Sequence, residues 1–191
     1  MNSDNPNNDL IVYVNEKGEP TGETAQKLDA HTANTRMHLA FSCYVFNTKG
    51  EFLVTQRAHG KKVWPDVWTN SVCGHPGPGE AMIDAMKRRL DYEVGLKAHD
   101  YQVMLPQYTY KTPPYNGIIE HEFCPVYVAI TDKQPKPNPD EVEDYKWMSW
   151  GDYTATITKD TNDTWSWWCK DQLKHLENNT DFQNFLGSFQ K

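Results

Sequence analysis

GHPGPGEAMIDAMKRRLDYEVGL, residues 74–96, decides the fold. Its first part is broken by three glycines and two prolines, the punctuation of a loop rather than of a regular element. From Glu80 to Val94 the text changes character and reads as a helix, with Gly95 in place to close it as a C-cap. The loop reaches back to residue 58 and is rich in Gly, Pro, Trp and Lys, the kind of long segment that tends to carry function.

Strands are expected on both sides of this unit. MHLAFSCYVF (37–46) alternates, with Met37, Leu39, Phe41, Cys43 and Val45 on one face and the smaller, more polar His38, Ala40, Ser42 and Tyr44 on the other. NTKG (47–50) is a tight turn and FLVTQR (52–57) the returning strand. LIVYV (10–14) is a short strand ended by NEKG. Further strands are expected near 101–111 and 117–130, a Pro-rich loop at 135–139, another strand at 144–150 and helix from about 163 to 188. Residues 1–9 are polar and Asn-rich and read as a flexible tail, which leaves 10–191 as one mixed α/β domain.

Composition narrows the function. The net charge of −7 over 191 residues gives no overall electrostatic footprint for nucleic acid. An anionic ligand must therefore meet a local cluster of cations or a metal ion. The four cysteines include no C-x-x-C pair, no signal peptide begins the chain, and no apolar run is long enough to cross a bilayer. A reduced, cytoplasmic protein with no membrane partner is expected.

Several residues could carry chemistry. In a strand, Glu120 and Glu122 share a face. Two carboxylates held that close are either solvated on an exposed edge or separated by a metal or a proton. His31, His38 and His75 could join them, since imidazole with carboxylate suits Zn, Mn or Fe(II), although no local metal signature links them. Cys73 sits among Ser71, Gly74 and Gly77, with few aliphatic neighbours, a setting that favours a reactive thiol over a packing one. Cys43 and Cys124 read as packing residues. Lys27, Arg57, Lys61 and Lys62 are either solvated surface or parts of a diphosphate clamp.

Two patterns resemble known families. Gly74, Glu80, Arg88, Leu90, Glu93, Gly95 and Leu96 fit the Nudix box G-x5-E-x7-R-E-U-x-E-E-x-G-U, where U is aliphatic. Arg89 and Tyr92 stand where the box has glutamates. Nudix hydrolases use those carboxylates to hold divalent ions that activate water. The departures read as diphosphate binding kept and multi-metal hydrolysis lost. In addition, AHTANTRMHLAFS (30–42), WTNSVCGHP (68–76) and IIEHEFCPV (118–126) closely resemble the type 1 isopentenyl-diphosphate Δ-isomerases, which have a Nudix fold.

The resemblance implies a Nudix-type α/β/α sandwich with a mixed sheet and a core of about 36–170. It implies an isomerase that turns isopentenyl diphosphate into dimethylallyl diphosphate by protonation at C4 and deprotonation at C2. The catalytic residues it implies are Cys73, Glu122 and Tyr110. It places Mn²⁺ or Zn²⁺ on His31, His38, His75, Glu120 and Glu122, and Mg²⁺ with the substrate diphosphate on Glu93. Lys27, Arg57, Lys61 and Arg89 would contact phosphate and Trp167 the hydrocarbon, with Trp68 a further possible π-face. A monomer or weak homodimer is expected. The rival readings are a nucleotide pyrophosphohydrolase, against which Arg89 and Tyr92 argue, and a non-catalytic Nudix-fold binding module.

Overall fold

A computed structural model describes residues 10–190; the tail expected over 1–9 lies outside the described residues. The described chain opens with a hairpin, β1 (Leu10–Val14) and β2 (Pro20–Gln26), followed by one helical turn, α1 (Lys27–Ala30). Polar β2 is exposed for most of its length, so no hydrophobic alternation announces it in the sequence.

The strand expected over 37–46 is two strands in two sheets. β3 (His38–Leu39) joins the first sheet and β4 (Phe41–Phe46) the second. The segment 117–130 divides at the same level. Its β10 (His121–Phe123) runs parallel to β3, and its β11 (Val126–Ile130) runs parallel to β4. Pro125 sits at the break, where its missing N–H costs the ladder nothing. The Ala40 and Ser42 amides bond the Phe123 and Pro125 carbonyls at 2.9 and 3.2 Å, so the two segments stay zipped as they change sheets.

The remaining elements complete the sheets. β5 (Glu51–Arg57) returns beside β4, and the supposed loop at 58–79 contains β6 (Trp68–Thr69) on β5 and β7 (Val72–Gly74) on β4. The 101–111 segment also splits, into β8 (His99–Leu105) and β9 (Thr109–Lys111), and β12 (Val142–Ser149) is the further strand. The first sheet runs β2-β1-β3-β10-β9 and the second β12-β5-β4-β11-β8.

Helices cover the second sheet on both faces. Phe41, Cys43, Val45 and Leu53 pack against Ala85, Met86, Leu90 and Val94 of α2 (Met82–Val94). On the opposite face Tyr44, Phe46 and Phe52 meet Tyr153 of α3 (Trp150–Thr158), Trp168 of α4 (Trp167–Leu176) and Phe182 of α5 (Thr180–Gly187). Each large side chain so buried contributes about 1.5–3 kcal/mol. This α/β/α arrangement matches the expected class, with two mixed sheets instead of one. α3 was not anticipated; Ser149 caps it by accepting from the Asp152 amide at 3.1 Å.

Two glycines of the opening segment are sterically required. A Cβ on Gly74 would lie 2.9 Å from Arg89 Cγ and 3.1 Å from Phe41 Cζ, so β7 can lie against α2 only without one. Gly95 closes α2 in the left-handed region at φ 64°, and a Cβ there would lie 2.5 Å from the Lys136 carbonyl. The 135–139 loop is thereby docked on the end of α2, where the Lys136 and Asn138 amides bond the Val94 and Glu93 carbonyls at 2.8 and 2.9 Å.

Candidate active site

Where the two sheets meet, a cavity of about 400 Å³ opens, within the range of small-ligand sites. Lys27, His31, Arg57, Lys61, Cys73, His75, Arg89, Glu93, Tyr110, Glu120 and Glu122 all line it. Residues scattered over nearly a hundred positions of sequence are brought together by strand exchange between sheets. His38 stands behind this lining, wholly buried in β3.

His31, His38, His75 and Glu122 converge, with one ligand atom of each lying within 4.8 Å of the others. His31 Nδ1 donates to the Lys27 carbonyl at 2.7 Å and His38 Nδ1 to the Arg36 carbonyl at 3.0 Å. In neutral His31 that bond fixes the tautomer and leaves the Nε2 lone pair facing inward, while His38 Nε2 faces Glu122 Oε1 at 3.6 Å. His31 Nε2 is buried without a hydrogen-bond partner. His38 Nε2 and His75 Nε2 stand 3.2 Å apart, and His75 Nε2 is 3.1 Å from Glu122 Oε1.

The electrostatics point the same way. Burial pushes His31 down to about 4 and His75 to about 3. Burial also works to lower His38, but the hydrogen bond and charge of Glu122 outweigh it and raise that ring. Burial works to raise Glu122, yet hydrogen bonds from His38 and His75 hold it well below the usual carboxylate range. Three imidazoles and an ionised carboxylate thus draw positive charge to one point, and this donor set fits a divalent metal ion. Glu120 stands one step back. It accepts from Tyr110 OH at 3.1 Å, and burial, then the charge of Glu122, pushes it up to about 7. Tyr110 also donates to Glu122 Oε2 at 2.7 Å, so one phenol ties both carboxylates.

Cys73 is not in an exposed loop. It is the middle residue of β7, half-buried, in register with Ser42 of β4. Burial pushes its thiol well above the ordinary value, so the structure presents a neutral thiol and not a ready thiolate. Its Sγ donates to Asn70 Oδ1 at 3.0 Å and lies 3.3 Å from Ser42 Oγ. The donor and acceptor roles around it are constrained. Asn70 spends its Nδ2 hydrogens on the Cys43 and Val72 carbonyls at 3.2 and 3.1 Å, so its Oδ1 can only accept. Tyr44 OH donates to Gln172 Oε1 at 3.0 Å, which leaves Gln172 Nε2 to donate to Ser42 Oγ at 2.9 Å.

The cations line the same cavity, and Arg57, Lys61 and Arg89 are engaged there. Arg57 donates to the Trp64 and Val63 carbonyls, each at 2.9 Å, and so shapes the 58–67 loop. Lys61 pairs with Glu141. Arg89 donates from Nε to Glu93 at 2.9 Å and from a terminal nitrogen to Glu141 at 3.3 Å. Arg88 and Glu80 form a two-pronged pair at 2.8 and 2.7 Å that, with the Gly77 amide on Glu80, holds the loop before α2.

One expected aromatic is displaced. Trp167 lies outside the cavity lining, against Tyr110, with ring centroids 5.9 Å apart. Trp168 lines the cavity instead, its indole N–H fixed on Thr69 Oγ1 at 2.9 Å. Ser166 caps α4, and the helical turn sends successive side chains in different directions. Trp68 is covered by Lys146, 4.2 Å from its ring, and takes no part in the lining. Glu141, Asn70 and Gln172 were not anticipated. Asn70 lies within the quoted stretch WTNSVCGHP, and Glu141 and Gln172 sit among other polar residues, so only their burial marks them out.

Known proteins share this sequence and fold. The NUDIX domain model matches residues 36–173. An "Isopentenyl-diphosphate Delta-isomerase" of Saccharopolyspora erythraea is 46% identical over 87% of this chain and 84% of its own. One of Kocuria rhizophila is 43% identical over 90% and 94%, and one of Shigella dysenteriae 49% identical over 77% and 80%. The chain belongs to the isopentenyl-diphosphate Delta-isomerase family. The solved structure of DR0079 from Deinococcus radiodurans shares the fold, with a TM-score of 0.67 at 17% identity over 87% of this chain and 98% of that one. A MutT protein from Methanosarcina mazei follows, with a TM-score of 0.57 at 17% identity over 73% and 91%. This isomerase family therefore sits on a scaffold shared with proteins of quite different sequence, and its own residues must account for its chemistry. No helix of the described residues is long and apolar enough to cross a membrane.

Proposed function

We propose that this chain isomerises isopentenyl diphosphate to dimethylallyl diphosphate, adding a proton at C4 and removing one from C2. One observation carries the reading: a single cavity is lined both by Cys73 and the Tyr110–Glu122 pair and by the cations Lys27, Arg57, Lys61 and Arg89. A charged head and a short hydrocarbon tail need both sets in one site.

The four converging ligands, with Glu120 beside them, would hold Mn²⁺ or Zn²⁺, and Glu93 would share Mg²⁺ with the diphosphate. When bound, the ion at the histidines supplies positive charge that steadies the anionic carboxylate of Glu122. The remaining chemistry belongs to side chains. An unactivated alkene is a weak base, so its proton donor must be held in contact with it. Tyr110 fixes Glu122 Oε2 by its 2.7 Å bond and can share the proton. Cys73, a neutral thiol on β7 of the other sheet, and the ionised Glu122 form a complementary pair, one giving a proton as the other takes one. The tertiary cation developing at C3 must be kept from water, and the faces of Tyr110 and Trp168 serve that role. A desolvated cation–π contact is worth about 2 kcal/mol. Trp167 braces Tyr110 from behind. Arg89, where a hydrolase box carries glutamate, favours holding the diphosphate over cleaving it. The chain is further proposed to act in the cytoplasm as a monomer or weak homodimer.

The test is turnover in D₂O with isopentenyl diphosphate, Mg²⁺ and Mn²⁺. Dimethylallyl diphosphate carrying deuterium, with no inorganic phosphate released, is the expected result. Phosphate release, or no turnover with any divalent ion, would refute the reading.

A further inference from the structure

Glu141 is an anion built into the cationic rim. It lines the cavity, is 7% exposed, and its Oε2 accepts from both Lys61 Nζ and an Arg89 nitrogen. Burial works to raise its pKa, but the charges of Lys61 and Arg89 outweigh it, so the group is ionised. The backbone gives it little freedom to leave. Its amide donates to the Asn138 carbonyl at 3.0 Å and its carbonyl accepts from the Ala58 amide at 3.1 Å, while Asn138 is itself docked on Glu93.

A carboxylate oxygen and a phosphate oxygen make the same charge-assisted bonds to Lys and Arg. Glu141 therefore competes for the two cations that a diphosphate would use. The isomerisation leaves the diphosphate unchanged, so cations with no internal competitor would grip product as firmly as substrate. Such uniform binding lowers KM without helping the chemical step.

We propose that Glu141 is an internal competitor for the diphosphate group, setting the affinity of the rim so that product is released. The inference rests on the diphosphate-binding role given to the rim under Proposed function, and it deepens that role.

The experiment titrates the purified full chain with inorganic pyrophosphate in a calorimeter, without added divalent ions, at low and high salt. Glu141→Gln is expected to bind pyrophosphate about tenfold more tightly at low salt, with the gain shrinking as salt screens the rim. Glu141→Asp keeps the charge but draws it back by one methylene, and is expected to tighten binding by about threefold. It carries the test if Glu141→Gln does not fold. In turnover with isopentenyl diphosphate, KM and kcat of Glu141→Gln should fall together, because product leaves more slowly. A merely structural lesion would lower kcat with KM unchanged or raised. Pyrophosphate binding that is unchanged or weaker in the variants overturns the inference. Pyrophosphate affinity needs no turnover, so a wild type that binds pyrophosphate but fails to isomerise would instead refute the proposed reaction.

Discussion

Asn70→Asp changes one NH₂ for one oxygen and leaves no cavity, so its cost is electrostatic. In the wild type the fully buried amide donates to the Cys43 and Val72 carbonyls at 3.2 and 3.1 Å. The variant turns an oxygen toward both. Each carbonyl left without a donor costs about 1–3 kcal/mol, or about 2–6 kcal/mol together. The buried charge adds to this unless the new carboxyl takes up a proton. A loss of at least about 4 kcal/mol at neutral pH is expected, a large share of the roughly 5–15 kcal/mol that holds a domain folded. The pH dependence has a definite sign. Burial raises the folded-state pKa of Asp at this position above the unfolded value of about 3.9, so the folded variant binds more protons between the two. Its stability must then fall as pH rises through that window, and its deficit relative to wild type must narrow on acidification from pH 7 to pH 5. Urea unfolding followed by tryptophan fluorescence at several pH values measures both effects. A loss under about 1 kcal/mol, or a deficit that does not narrow in acid, would refute the assigned donor and acceptor roles around Cys73.

Three further outcomes are expected. Saturating Mn²⁺ or Zn²⁺ at about 100 times its dissociation constant should stabilise the chain by about 2.7 kcal/mol, raising Tm by roughly 5–10 °C, and His38→Ala should abolish the shift; calorimetry with and without chelator checks it. Tyr110→Phe removes the hydroxyl that ties Glu120 and Glu122 and should cut turnover by about 10²–10⁴ while metal content by elemental analysis stays unchanged. Gly95→Ala forces a Cβ into the left-handed region and to 2.5 Å from the Lys136 carbonyl, so denaturant unfolding should show a loss of more than about 2 kcal/mol.

Local signals made the scaffold readable and left its seam hidden. Gly95 with the helix before it, and the alternation from Phe41 to Phe46, appear as expected because each depends on a few adjacent residues. The break at Ala40 does not show, since hydrophobic alternation runs through it unchanged; only the partner strands distinguish His38 from Ser42. β2 was missed because its stability comes from pairing with β1 and not from burial. At the site, His31, His38, His75 and Glu122 are legible through motif resemblance, and geometry adds their convergence on one point. Cys73 misled in one respect. Its small neighbours read as openness, whereas Ser42, Asn70 and Gln172 close over it from strand, loop and helix. Glu141 carries no sequence signal because its partners, Lys61 and Arg89, lie 80 and 52 residues away.

The ligands for the proposed ion come from both sheets: His38 and Glu122 from β3 and β10 of the first, and His75 from the end of β7, which belongs to the second. Occupancy of that site is therefore linked by mass action to how firmly the sheets stay docked. Amide hydrogens in β3, β10 and β7 should exchange as one cooperative unit whose opening free energy follows metal concentration, while β12, which supplies none of the four ligands, should be indifferent to it.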